Sequence, residues 1–426
     1  MNSQTAVDVR HITNEDLPQW VRAWSTGYLH QVDEDAVSVL RHALARDQVI
    51  GAFDKDRCVG TYRSSAQELT VPGGAHLPVA AVSKVSVAGT HRRRGLLSRM
   101  LDMDLRDAVA RQVPAVVLDA AQYPIYGRFG FGPATTMAWY EIDVHRAALD
   151  RRHTADLDGV EIVDAAEYFK RAPDVYERFR ATQPGALRRP EDWWRDATDR
   201  REHQGTAQAE PFYALYTDPG TGRTDGLLCF TAEETWGSML PQTPLRTTDF
   251  VTLTSAAERA LLRYAVTVDW ASTVHLPYRA PDTLAPLWLG DPRAARLTAL
   301  SDYMWLRILD VAHTLSARTY PAEGTLVLEV DDPAGHAQGR WLLDGGPDSS
   351  SCAPTTRRPD IRLTVQALGS LYLGDESASR LASLGQVEEL RTGALCRTDV
   401  MFRTGRRPWS PRAALMTRPG QAGPGH

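Results

Sequence analysis

The sequence predicts an α/β (α+β) protein of two to three domains. Three observations carry this. The chain has 426 residues, more than one ordinary hydrophobic core organises. Its first 150 residues alternate short apolar runs with amphipathic helical stretches. Within them a strand, a helix and a second strand follow in close order, a crossover that places a parallel pair in a mixed sheet.

The elements follow one by one. Val49–Phe53 is an apolar run, Asp54-Lys55-Asp56 a turn, and Cys58–Thr70 a second strand, which together make a hairpin. Gly73-Gly74 turns the chain into a strand at His76–Val87. A helix is expected from near Arg94 to about Gln112, because Leu97, Leu101, Leu105 and Val109 recur every four positions. Ala115–Leu118 reads as a buried strand, Pro124–Phe129 as a short helix, and Trp139–Val144 as the strand that closes the sheet. Residues 147–158 are polar and read as a linker. Beyond them helices are expected at Tyr168–Arg180 and Ala256–Val268 and a strand at Gly226–Thr231. The last segment is expected to open with a helix at Met304–Arg318, packing Trp305, Ile308 and Leu315. Strands follow at Gly324–Val330, Gly339–Leu343 and Pro359–Val365, then helices at Gln366–Leu371 and Glu376–Leu384. Residues 403–426, rich in Arg, Pro and Gly, read as an extended tail. The domains so defined are 1–150, 151–295 and 296–412, with a tail at 413–426.

Composition narrows the function. Formal net charge is −5, so no global field draws the chain to nucleic acid or an anionic membrane. Cys58, Cys229, Cys352 and Cys396 are scattered without a C-x-x-C pair, which argues against zinc and disulfide scaffolds and fits a reducing, cytoplasmic setting. The first twenty residues lack the basic-then-apolar pattern of a signal peptide, and no apolar run is long enough to span a bilayer.

The chemistry is written in residues 82–98. There a strand ending in Val85, Ser86 and Val87 runs through Arg92, Arg93, Arg94 and Gly95 into a helix beginning Leu96-Leu97-Ser98. A diphosphate seeks open backbone amides at a helix N-terminus, with a glycine for close approach and cations around it. A pantetheine arm seeks the free edge of a strand to pair with. Three arginines alone would suit a solvated turn equally well; the order of strand, loop and periodic helix favours a site for acetyl-CoA. A second run, Asp119 to Pro133, places Tyr126 just beyond the second parallel strand. There a phenol can donate its proton to a leaving thiolate, or else pack under the sheet with its hydroxyl on a carbonyl.

These residues also carry a resemblance. The run V-S-V-x-x-x-H-R-R-R-G-L-L from Val85, then I-Y-G-R-F-G-F-G-P-A-T from Ile125, resembles the enhanced-intracellular-survival (Eis) branch of the GNAT acetyltransferases. The likeness continues through Leu187-Arg188-Arg189 before Trp193-Trp194, Asp302 to Arg307, Leu371 to Gly374, and Pro408-Trp409. It implies an N-terminal GNAT domain, a degenerate central GNAT domain and a C-terminal sterol-carrier-like domain. It also implies a homohexamer that acetylates primary amines, including several on one aminoglycoside. By position, it implies that Val85, Ser86 and Val87 hold the pantetheine arm and that Arg93, Arg94, Gly95, Leu96, Leu97 and Ser98 hold the diphosphate. Ala121 and Gln122 would make a further acetyl-CoA contact, and Tyr126 would be the general acid.

The family's general base is its C-terminal carboxylate, here that of His426, although this chain continues well past the Pro-Trp pair where the pattern usually stops. Lys84, Asp119 and Ala121 stand where the family would have an aromatic or small residue, a histidine and a serine. Asp119 is a candidate partner for Lys84; Asp33, Glu34, Asp35 or Asp119 are candidates to attract a cationic amine, the run 33–35 reading otherwise as a solvated helix start. The acceptor thus stays open between an aminoglycoside, a protein lysine and a natural-product amine. A non-catalytic carrier of apolar ligands with a vestigial GNAT fold is the reading of another class.

Overall fold

The computed structural model describes residues 7–31, 37–38, 40–41, 44–150, 157–191, 193–194 and 210–411. The first part of the chain runs β1 (Asp8–His11), α1 (Leu17–Gly27), β2 (Gln48–Asp54), β3 (Arg57–Thr70), β4 (His76–Val87), α2 (Leu96–Ala110), β5 (Ala115–Asp119), α3 (Tyr123–Tyr126), β6 (Gly132–Pro133) and β7 (Thr136–Asp143). The middle follows as β8 (Val160–Val163), α4 (Ala165–Arg180), β9 (Pro211–Thr217), β10 (Thr224–Ala232), the short β11 (Trp236–Gly237) and β12 (Leu240–Pro241), β13 (Thr243–Thr252), α5 (Ser255–Val266), β14 (Ala271–Arg279) and β15 (Ala295–Asp302). The last part is β16 (Met304–Ile308), α6 (Val311–Ser316), β17 (Gly324–Asp331), β18 (Gly339–Gly345), β19 (Ser350–Pro354), β20 (Ile361–Thr364), α7 (Val365–Tyr372), α8 (Ala378–Ser383), β21 (Val387–Glu389) and α9 (Ala394–Phe402).

Three larger sheets result, ordered β1-β2-β3-β4-β5-β16-β6, β15-β7-β14-β13-β10-β9-β8 and β19-β18-β17-β20-β21. In the first, β4 and β5 are the parallel pair, Val79–Val82 opposite Ala115–Leu118, joined by α2. Helix α2 turns Leu96, Met100, Leu101, Leu105 and Ala108 into the core. The expected stripe drifts off this face: Leu97 is half-buried and Val109 is 44% exposed. A strict four-residue repeat overshoots the 3.6-residue turn and slants around the helix.

Two expectations are corrected. Met304–Ile308 is a strand and not the start of a helix; only Val311–Ser316 coils. All five of its residues are buried, Trp305 in the N-terminal core and Met304, Leu306 and Ile308 in the core shared with the last domain. A short run that is apolar on both faces carries no periodicity to tell strand from helix. The strand around Trp139 does not close the first sheet. As β7 it lies between β14 and β15 of the second. The chain therefore exchanges strands: β7 leaves the first sheet for the second, and β16 returns to fill its place beside β5.

The second sheet repeats the crossover of the first, with β13 and β14 parallel and α5 between them. Its helix start differs chemically. The Thr254 hydroxyl caps α5 by accepting the Ala257 amide at 3.1 Å. Helix α2 begins at Gly95 with no side-chain cap. One helix N-terminus is closed by its own side chain and the other is left open.

The third domain packs α7, α8 and α9 on its sheet around Leu326, Leu328, Leu343, Leu368 and Phe402. The last described stretch runs back to the middle of the chain. Trp409 is buried; its amide donates to the Pro184 carbonyl and its indole Nε1 to the Tyr278 carbonyl.

Candidate active site

The site begins where β4 and β5 separate. Their ladder ends at Val82 opposite Leu118. Asp119 pairs instead with Met304, while β4 continues alone along β3, with Ser86 opposite Thr61 and Val87 opposite Gly60. Lys84, at φ +53°, forms a bulge between them, and the Thr61 hydroxyl donates to its carbonyl at 2.8 Å. A bulge adds twist and bends the strand. From Ser83 to Val87, then, β4 has no strand partner among the described residues on the side facing β5. Helix α1 ends against this stretch. A Cβ on Gly27 would lie 1.8 Å from the Ser86 Oγ, so only glycine permits the approach.

Beyond β4 the chain makes a loop with Arg93 at φ +62° and Gly95 at φ +73°. Left-handed residues alternating with right-handed ones turn successive amides to one side, an anion-binding concavity. The amides of the first turn of α2, at Leu96, Leu97 and Ser98, have no acceptor within the helix. Arg92, Arg93 and Arg94 are exposed around them, and a Cβ built on Gly95 meets nothing within 4 Å. Open amides, cations and free space together suit a diphosphate.

Tyr126 ends α3 and is 8% exposed, packed edge-on to Phe131. Its hydroxyl makes no hydrogen bond among the described residues, so it is not committed to a backbone carbonyl. Burial first, then the neighbouring Tyr28, push its pKa well above the ordinary phenol value, which keeps it protonated. Tyr28 accepts the Val85 amide, and burial raises its own pKa. Trp24, Tyr28 and His30 pack against one another, and the Lys84 ammonium sits 3.5 Å over the Trp24 ring, with Lys84 7% exposed.

Asp119 projects from the face of β5 opposite α2, the side where Tyr303 lies. Neither carboxylate oxygen has a donor at full hydrogen-bond geometry. Burial lifts its pKa to about 7, with the Tyr303 hydroxyl pulling the other way.

The fold thus brings Val85, Ser86, Val87, the Arg93–Ser98 loop and Tyr126 to one end of the first sheet. Ala121 and Gln122 are exposed in the turn between β5 and α3. Asp33, Glu34, Asp35 and the candidate base His426 lie outside the described residues. Sequence reasoning missed Trp24, Tyr28, Gly27 and Tyr303. The amphipathic run Leu17–Gly27 and the aromatic Tyr303 beside the family-like Met304-Trp305 were the available signals.

Comparison with known proteins agrees with this architecture. Residues 8–134 and 185–308 each match an acetyltransferase (GNAT) domain model, and residues 311–411 match a sterol carrier protein domain. The fold is that of a tandem GNAT protein with a sterol-carrier-like domain at its C-terminus, and the protein is an N-acetyltransferase that uses acetyl-CoA. An uncharacterized N-acetyltransferase of Streptomyces griseus is 47% identical over 415 residues, 95% of this chain and 99% of that one. N-acetyltransferase Eis of Mycobacterium tuberculosis strain H37Ra is 33% identical over 407 residues, 92% of this chain and 95% of that one. The crystal structure of Eis1 from Mycobacterium abscessus superimposes with a TM-score of 0.83 at 30% identity, covering 95% and 99% of the two chains. The chain belongs to the Eis family. Among the described residues no helix is long and apolar enough to cross a membrane.

Proposed function

We propose that the chain transfers the acetyl group of acetyl-CoA to a primary amine of a small polar molecule, an aminoglycoside or a related amine. The observation that supports this most is the separation of β4 from β5 with an uncommitted, protonated Tyr126 nearby. The open edge from Val85 to Val87 pairs with the pantetheine arm, the Arg93–Ser98 loop takes the diphosphate, and Ala121 and Gln122 close on the arm from the β5 side. Asp119 is one candidate for the base that takes the ammonium proton, its pKa lifted by burial to about 7. The amine nitrogen then bonds to the acetyl carbon, the carbon–sulfur bond breaks, Tyr126 gives its proton to the sulfur, and the second proton that the nitrogen sheds in becoming an amide restores the phenol. The carboxylate of His426 is the second candidate for the base, on the family resemblance alone.

One feature bears on the acceptor. The face of Trp24, a natural seat for a substrate ammonium, already carries the protein's own Lys84. Release of free thiol from acetyl-CoA across aminoglycosides, polyamines and lysine peptides tests the reading. No thiol release with any amine, together with no heat on titrating CoA into the protein, would end it. Truncation after Pro411, set against Asp119→Asn, separates the two candidate bases. Hexameric assembly is proposed on the same resemblance and is read by light scattering.

A further inference from the structure

We infer that the third domain carries a second anion site, distinct from the acetyl-transfer site, that takes a phosphate monoester. A cavity of about 480 Å³ opens where three segments meet: the start of β17, the loop before β20, and the turn leading into α9. Arg357, Arg358, Arg391 and Arg397 line it, against only two carboxylates, Glu323 and Asp360. Asp360 is already occupied. One oxygen accepts the Val327 amide at 2.8 Å and the other accepts Arg391 at 3.3 Å. Arg397 donates to the Thr325 carbonyl at 3.3 Å. The guanidinium groups of Arg357 and Arg358 make no hydrogen bond or ion pair among the described residues, and both are exposed. Four guanidinium groups against two carboxylates leave the cavity a surplus of positive charge that an anion answers.

The chemistry selects the anion. Guanidinium forks present paired N–H donors that match phosphate oxygens bidentately, and two of these forks are uncommitted, which suits a doubly charged group. The volume falls in the range of small-ligand pockets and exceeds what a bare phosphate fills, so a phosphate ester fits better than the free ion. An apolar ligand does not fit. Val327 is the cavity's apolar contribution, while Leu326, Leu328, Leu343 and Phe402 are buried in the filled core beneath. The same phosphate chemistry is offered by a soluble ester and by a phosphatidic acid headgroup.

The test uses the full chain without CoA, whose own 3′-phosphate is a phosphate monoester, and the Arg93→Ala variant marks any binding at the loop before α2. Glycerol 3-phosphate and inorganic phosphate are titrated by calorimetry, and vesicles of phosphatidylcholine with and without phosphatidic acid are sedimented with the protein. Binding of the soluble ester, or of the phosphatidic acid vesicles alone, supports the site and says which source fills it. In either case Arg357→Glu/Arg358→Glu weakens binding at least tenfold while acetyl transfer is unchanged, and Arg93→Ala leaves this binding intact. The inference is overturned if neither the ester nor the phosphatidic acid vesicles bind, if inorganic phosphate binds as tightly as the ester, if the double variant binds as the parent does, or if sodium chloride at matched ionic strength reproduces the signal.

Discussion

Arg307 and Asp332 form a buried ion pair in which Nη2 of Arg307 donates to both carboxylate oxygens, at 2.7 and 2.8 Å, and it bolts β16 of the first sheet to the turn after β17 in the last domain. The Asp332 carboxylate also accepts the amides of Ala334 and Ala337. Both side chains are essentially inaccessible, so removing one strands the other in a water-poor interior. Asp332→Ala should therefore cost about 3–5 kcal/mol, read as a large fall in Tm and checked by chemical denaturation. Burial alone would raise the Asp332 pKa, but Arg307 and the amides override it and hold it below its usual value. A depressed carboxylate stabilises the fold above its unfolded pKa and loses that contribution as pH falls through its folded one. Acid unfolding between pH 5 and 2 should thus be less steep in the variant than in the parent.

Tyr126→Phe keeps the ring that packs on Phe131 and removes only the hydroxyl. If that hydroxyl protonates the leaving sulfur, kcat should fall by roughly a hundredfold or more, with the dissociation constant for CoA little changed. Steady-state kinetics and calorimetry separate the two. Unchanged turnover would remove Tyr126 from the chemistry.

Asp119 gives a pH prediction of opposite sign to Asp332. Its pKa is raised to about 7, so the folded state holds a proton that the unfolded state releases near the ordinary carboxylate value. Its contribution to stability falls as pH rises from about 4 to 7 and is flat above that. Asp119→Asn should raise Tm at pH 8 and change it little at pH 4. The same variant should remove an inflection near pH 7 from the kcat/KM profile.

At Gly95 a Cβ meets no neighbour, but the backbone is left-handed, which costs a side chain about 1–2 kcal/mol. Gly95→Val should leave a folded protein with CoA affinity reduced about tenfold or more, because the branched side chain crowds the amides it was meant to expose. Measured binding equal to the parent would argue that the diphosphate lies elsewhere.

Gly27 and Ser86 make a paired test of the α1 contact. Gly27→Ala drives a methyl into the Ser86 Oγ and should push α1 away from β4, raising the KM for acetyl-CoA. Ser86→Gly in the same chain should restore part of the loss. A KM that does not respond to either change would uncouple α1 from the site.

The sequence by itself determined what is local in the chain. The strand at His76–Val87, the basic turn and the open start of α2 are contiguous, and their chemistry is legible because a left-handed glycine and a helix N-terminus need only near neighbours. The same holds for α4. Only the tertiary structure decided where strands pair. Nothing in Thr136–Asp143 or Met304–Ile308 states that the two change sheets, because a strand's partner is set by surfaces far away in sequence and short apolar runs have no period of their own. Tyr28 and Lys84 lie together at the end of β4 for the same reason: contacts between residues far apart in sequence, not local propensity, fold α1 against that strand.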